Sequence, residues 1–184
     1  PAISIVVLSI GIASILLTSV WIRDELSYDS SYNHSDKLYR LTIEKNDKTT
    51  GYHTHIARSW YEWMKNIKND VSGVKDFGRF ISRGETTIKI DSSVFNSNLL
   101  KANEDFLRIF SLRFIQGSPE TALKEPNTAI ISKSAAIKYF GTRNPVGEVI
   151  QDYLMNSTER KEYMITAIVE DLPVNSHFHF DFIL

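Results

Sequence analysis

The chain has 184 residues, 42% hydrophobic and 23% charged, the composition of a folded rather than a disordered protein. Its formal net charge is −1 with both signs interspersed, so it has no basic footprint for nucleic acid. It contains no cysteine, which excludes a disulfide framework, thiol catalysis and cysteine-based zinc sites, and leaves the redox compartment open.

Residues 1–22, "PAISIVVLSIGIASILLTSVWI", hold no charged side chain. As a helix they would span roughly 33 Å, enough to cross a hydrocarbon core. A signal peptide is the competing reading, but its apolar core is shorter and it would end in small residues instead of "SVWIRDE". The stretch is therefore read as a transmembrane helix. Trp21, with Tyr28 and Tyr32 after it, suits an aromatic belt at the interface. Ser9, Gly11, Ala13, Ser14 and Thr18 are small enough to admit a neighbouring helix. Residues 23–36 read as a juxtamembrane stalk, with Asp24, Glu25 and Asp29 as a solvated acidic run; contact with a neighbouring subunit or helix is the alternative. Arg23, Lys37 and Arg40 do not outnumber the acids here, which favours an outside location for residues 23 onward. No proline falls within 3–28, so the helix is expected to continue beyond the bilayer to about Ser27. The chain starts inside a hydrophobic run and is expected to be a piece of a longer protein.

Residues 37–184 can bury a core of their own. "KLYRLTIEK" (37–45) alternates as a strand does. His53 and His55 in "GYHTHI" read as a loop. In "HIARSWYEWMKNIKNDV", Ile56, Trp60, Trp63, Met64, Ile67 and Val71 recur every three or four residues, the apolar face of a helix packed on a sheet. "VKDFGRFISR" and "TTIKIDSSVF" predict two strands around a turn at Gly84. "EDFLRIFSLRFIQGSPETALKEP" predicts a short helix, a strand ending at Gly117 and a polar loop closed by Pro126. "AIISKSAAIKYFGTRNPVGEVI" (129–150) predicts a buried strand, a short helix and a turn into "EVIQDY". "EYMITAIVEDLP" predicts a strand stopped by Pro173, and "HFHFDFIL" another. Irregular alternation with few helices is α+β, not a doubly wound sheet.

The glycines of 129–150 invite a phosphate-loop reading, which fails on polarity. An anion needs free N–H groups at a helix N-terminus, whereas Gly141 follows its helix. It is better explained as the left-handed residue closing "KSAAIKYF", with Asn144-Pro145-Val146-Gly147 as the next turn. Neither G-x-x-x-x-G-K-[ST] nor G-x-G-x-x-G occurs.

What the segment does resemble is a family. "TAIISKSAAIKYFGTRNPVGEVI" followed by "YMITAIVEDLP" is similar to the extracytoplasmic core domain of MacB-like, FtsX-type ABC transporter permeases, with Phe140, Gly141, Pro145, Val146 and Gly147 carrying the match. "DELSYD", "DKLYRLT" and "NEDFLRIFSLRFIQGSPETALKEPNTAIIS" follow the helix in the family's order. The likeness runs the length of the chain and is greatest to stand-alone permeases with no fused ATPase. "QDYLMNSTERKEY" (151–163) departs, being a longer, polar hairpin where many members have a tight one.

The resemblance implies an N-terminal transmembrane helix and a mixed-sheet, two-lobed periplasmic core domain truncated at its C-terminus. It implies a bacterial inner-membrane permease driven by a cytoplasmic ABC ATPase, working with a second permease copy and, in some members, a periplasmic adaptor. Hydrolysis would then move the outer domain through the first helix. It implies no catalytic, cofactor or metal residue.

"HFHFDF" puts His177, His179 and Asp181 on one face of a strand, a pattern that could hold zinc or iron. The plainer reading has Phe178, Phe180 and Phe182 facing a core and the polar three facing water. No G-x-S-x-G elbow or buried carboxylate pair supports a hydrolase. Asn33-His34-Ser35 and Asn156-Ser157-Thr158 match the glycosylation triplet, a pattern that arises easily by chance. A membrane-tethered sensor or ligand-binding module and a tethered metal-dependent hydrolase are the alternatives to the permease.

Overall fold

The structure, a computed structural model, describes residues 2–57, 61–153 and 160–184. It divides into two compact units, one of residues 1–35 with 172–179, the other of residues 36–171 with 180–184.

The first unit is built on helix α1, Ala2–Ser27. With no charge before Arg23 and no proline, nothing interrupts its ladder. Three of its hydroxyls are turned back on the helix: Ser9, Ser14 and Thr18 donate to the carbonyls of Ile5, Ile10 and Ser14 at 2.8–2.9 Å. This removes their hydrogen-bonding demand, as a lipid environment requires. None of its residues is buried, and it is long and apolar enough to cross a membrane. The helix runs five residues past the apolar stretch and then stops at Asp29, whose φ of 55° reverses the chain. Asp is among the few residues that tolerate that conformation.

The second unit holds two sheets. Strands β1 (Ile43–Asn46) and β2 (His53–Ile56) form an antiparallel hairpin followed by helix α2, Tyr61–Asp70. The main sheet contains β3 (Phe80–Ile90), β4 (Ser93–Ala102), β5 (Phe114–Gln116), β6 (Thr128–Ser132), β7 (Val149–Tyr153), β8 (Arg160–Val169) and β9 (Phe182–Ile183), in the order β5-β8-β6-β9-β4-β3-β7. It is mixed, since β6 lies parallel to β8 and β9 parallel to β4. Because β7 also pairs with β8, six strands close into a ring, and β5 takes the remaining half of the β8 edge. Helix α3 (Glu104–Ile109) follows β4, and α4 (Lys133–Phe140) follows β6.

Packing explains the sequence pattern of the ring. β6 is buried along its whole length, as the run "TAIIS" demands. Ile88, Ile90, Leu99, Ile131, Ile150, Tyr163, Ile165 and Phe182 meet in one cluster, onto which α4 lays Ala135, Ala136 and Phe140. Gly141 closes α4 with φ 61°, its N–H donating to Ile137 O. The left-handed conformation expected of Gly141 is not the one it takes: φ is positive, but its ψ of −115° lies outside the left-handed helical region and turns the chain toward the Asn144–Gly147 turn. There the Val146 N–H donates to Asn144 Oδ1 at 3.1 Å.

Several expectations need correction. The strand read at 37–45 shrinks to β1, and His53 and His55 lie on strand β2 instead of a loop. Gly84 makes no hairpin turn. It sits at a bulge inside the continuous β3, and the turn falls instead at Asp91, with φ 54°. Only Phe182 and Ile183 of "HFHFDFIL" are strand, because residues 172–179 belong to the other unit. The apolar face of α2 exists but is only partly covered by the described residues: Trp63 is 52% and Val71, just beyond the helix, 48% exposed, with Met64 and Ile67 half-buried. Spacing tells which residues share a face, not what covers it. Trp60 and the hairpin tip with Asn156 lie outside the described residues.

Candidate functional site

The first unit contains one concentrated set of polar contacts, at the point where α1 ends. Helix C-termini leave carbonyls without partners. Here the Asn175 Nδ2 donates to Ser27 O and Ser27 Oγ, both at 2.9 Å. The next residues are gripped from the same segment. Asp29 N–H donates to Asn175 O at 3.0 Å, and His177 N–H donates to Asp29 Oδ1 at 3.1 Å. His177 Nδ1 lies 2.6 Å from Asp29 Oδ2, and the Tyr28 ring is 5.0 Å from the imidazole. Deeper in, the Tyr32 hydroxyl lies 2.5 Å from Ser176 Oγ, and Phe178 packs edge-on against the Tyr32 ring. Tyr32 and Ser176 are 6% and 1% exposed, and burial raises the Tyr32 pKa above its ordinary value of 10.0. Residues almost 150 positions apart therefore clamp the end of the helix.

Within the second unit, both flanks of the clamping segment 172–179 are anchored. Before it, Lys133 Nζ lies 3.2 Å from Glu170, while Asp171 accepts from Ser134 N–H at 3.1 Å and from Ser134 Oγ at 2.7 Å. A carboxylate at the first turn of α4 also meets the positive end of the helix dipole. The two parts of the family-like motif, "ISKSAA" and "IVEDLP", are thus bonded to one another. After the segment, β9 slots between β4 and β6, with Phe182 and Ile183 fully buried. The Asp181 carboxylate accepts from Ser97 Oγ and Asn98 N–H at 2.9 Å and from the Tyr139 hydroxyl at 3.3 Å.

A second polar cluster lines the ring. Asp152, fully buried on β7, receives Arg83 from the β3 bulge and Thr86 at 3.4 Å. Lys101 nearby has its pKa lowered by burial and by the Arg83 and Lys161 charges, against the pull of Asp152. Asp152 shares a face with Ile150 in the core, so the arrangement is an ion pair closing one end of an apolar interior.

The candidate metal trio does not assemble as a strand face. His177 is engaged by Asp29, whereas Asp181 braces β9. Among the described residues no three His, Asp or Glu side chains gather as a metal site would need. His53 contacts Glu44 across the hairpin, and His55 Nε2 lies 3.0 Å from Thr42 Oγ1. Asp24 and Glu25 are exposed, but Asp29 is a structural ligand of its own chain and not part of a solvated run. Tyr32 likewise is buried against Ser176 and not part of an aromatic belt. Asn175 and Ser176 escaped the sequence reading, since nothing local marks a partner so distant in the chain.

The profile of the MacB-like periplasmic core domain matches residues 2–184. The chain belongs to that family. With α1, it is a membrane-anchored periplasmic domain of the MacB-like kind. Among solved structures it is similar to a domain of a protein described as a permease from Porphyromonas gingivalis, at 27% identity and a TM-score of 0.58, over 65% of this chain and 54% of that one. It thus spans about half the length of that domain. The periplasmic region of MacB from Actinobacillus actinomycetemcomitans is similar at 16% identity and a TM-score of 0.52, over 71% of this chain and 59% of that one. The extracellular domain of the noncanonic ABC-type transporter YknZ from Gram-positive bacteria follows at 18% and 0.56, over 78% and 72%. These last two likenesses concern the fold. Among curated proteins none matches.

Proposed function

We propose that this MacB-like chain is the outer part of a permease subunit of an ABC transporter, passing motion from a separate cytoplasmic ATPase through α1 to the periplasmic domain. The work done there is export or release of a substrate outside the bacterial inner membrane. A second permease copy is a further partner, and a periplasmic adaptor is one in some members of the family. The observation that carries the reading is the junction itself. A flexible link cannot transmit displacement. Here the helix runs from Ala2 to Ser27, with Gly11 as its only glycine, and its end is clamped by Asn175, Ser176 and His177.

The domain does no chemistry of its own in this reading. The N-terminus of α4, where a phosphate would sit, is already taken by Ser132 Oγ and Asp171. Tight ATP binding by the purified chain would overturn that part.

The mechanical part is tested by inserting three glycines after Arg23 in the full-length permease. The transport-dependent phenotype of a strain lacking the gene should then no longer be complemented, while ATP binding by the ATPase survives. Full complementation would reduce α1 to a tether.

A further inference from the structure

We infer that the load from α1 enters the ring through residues 172–179, which act as a coupling strap, and not through the direct chain link 36–42. The inference rests on the mechanical reading above but is carried by separate observations. Two covalent routes leave the first unit for the second: residue 35 continues into 36, and the segment 172–179 runs at both ends into 171 and 180. They are built differently.

The direct link offers little to pull on. After the 3-10 turn at Ser35–Lys37 no regular element begins until β1 at Ile43, and β1 belongs to a hairpin of two four-residue strands outside the closed ring. Tyr39 in its middle is 91% exposed. A displacement of the helix end applied here would first straighten residues 38–42 and then tug on the hairpin.

The strap is different at every point. On the helix side it holds Ser27 O, both carboxylate oxygens and the amide of Asp29, and the buried hydroxyl of Tyr32. On the ring side it is continuous with Asp171, tied to α4, and with Asp181, tied to β4. Beyond Asp181, β9 is held on both sides: Asp181 N–H donates to Asn98 O and Leu184 N–H to Leu100 O at 2.8 Å, Ser132 N–H to Asp181 O at 2.9 Å, and Ala102 N–H to Leu184 O at 3.0 Å. A strand pulled along its own length loads these bonds together rather than one after another. That is the arrangement a sheet resists best. Asn175, Ser176 and His177 are thus positioning residues: they fix the helix end to a segment that the ring cannot release piecemeal.

Single-molecule pulling on the full chain in a lipid nanodisc tests this without a substrate or a partner. The chain has no cysteine, so Arg23→Cys and Lys89→Cys give unique handles on α1 and β3. If the strap bears the load, extension pauses until the clamp ruptures, and one step then frees residues 30–42, at most roughly 45 Å. The variant Asn175→Ala/His177→Ala, whose changes are not in the core, should lose that step, as should the milder Tyr32→Phe to a lesser degree. Free extension of residues 30–42 from the start in the unmodified clamp would overturn the strap. So would a step that both variants leave unchanged.

A functional arm separates this inference from the one beneath it. Three glycines between Leu38 and Tyr39 of the full-length permease should preserve complementation, and its loss would place the load on the direct link. Tolerance of the insertion after Arg23 would sink the mechanical reading itself, whatever the pulling curves show.

Discussion

Replacing Tyr32 with phenylalanine keeps the ring and deletes one hydroxyl, so its effect isolates the innermost contact of the clamp. That hydroxyl lies 2.5 Å from Ser176 Oγ, and both residues are nearly inaccessible to water. A net hydrogen bond contributes about 0.5–1.5 kcal/mol, and a buried group left without one costs about 1–3 kcal/mol. Ser176 Oγ retains the Phe178 N–H as a donor at 3.0 Å, so Tyr32→Phe falls at the mild end, about 1–1.5 kcal/mol. Ser176→Ala takes a partner from Tyr32 and from Phe178 at once and should cost about 2–3 kcal/mol. The double variant should fall short of the sum by about 1 kcal/mol, because both singles break the same bond. Hydrogen exchange of the Asp29 and His177 amides reads the local opening, since these donate to Asn175 O and Asp29 Oδ1. Tyr32→Phe should speed both by close to tenfold, the equivalent of about 1.4 kcal/mol. The Leu184 amide, in the ring, should be unaffected. Acceleration of Asp29 and His177 by less than about twofold, roughly 0.4 kcal/mol, would refute the reasoning.

Other consequences concern the ring and the tyrosines. Asp152→Ala leaves the largely buried Arg83 charge without its counter-ion and should cost about 3–5 kcal/mol in urea unfolding, most of it recovered by Arg83→Met with Asp152→Leu. Gly117→Ala should cost more than about 1 kcal/mol in the same assay, because φ is +86° and the new Cβ would meet Ala167 Cβ at 2.7 Å. Burial holds the Tyr32 and Tyr163 pKa values above 10.0, so the stability they contribute is fully present below pH 10 and lost as pH rises through the folded values. An alkaline melting series should show that loss flattened in Tyr32→Phe/Tyr163→Phe.

Local signals made most of the ring legible. The continuous apolar run of β6, the alternation of β8 and the Phe140-Gly141 helix end each need only their own neighbours to be interpreted. Even the failures share a cause. Gly84 looked like a hairpin turn because a positive φ is needed there, but a bulge needs one too, and only cross-strand register tells them apart. "HFHFDFIL" alternates well enough for a strand, yet only two residues pair as one, while His177 and Phe178 serve the clamp and Asp181 braces β9. The clamp itself left no trace in the sequence. Asn, Ser and His after a proline describe an ordinary polar loop, and Asp29 an ordinary acidic one. Their meaning lies in a pairing across 148 positions of chain.

The closed ring gives a physical reason why the strap ends where it does. An open sheet pulled on one strand shears, because its edge strands are held from one side only. In this sheet β7 bridges β3 and β8, so the strands beside it have no free edge along that stretch, and β9 lies on the far side of the ring between β4 and β6. A load delivered to β9 is therefore passed at once to β4 and β6 and by them to β3 and β8, and the ring moves as one body. The Arg83–Asp152 pair supports the same end. It crosses from β3 to β7, and breaking it would leave a buried carboxylate opposite a stranded guanidinium, which opposes opening of that seam. The hairpin β1–β2 and helix α2 lie outside the ring and share none of this bracing. If the strap carries load as proposed, stiffness concentrated in the ring and an input at the middle of the sheet would favour rigid motion of the ring over its local unfolding.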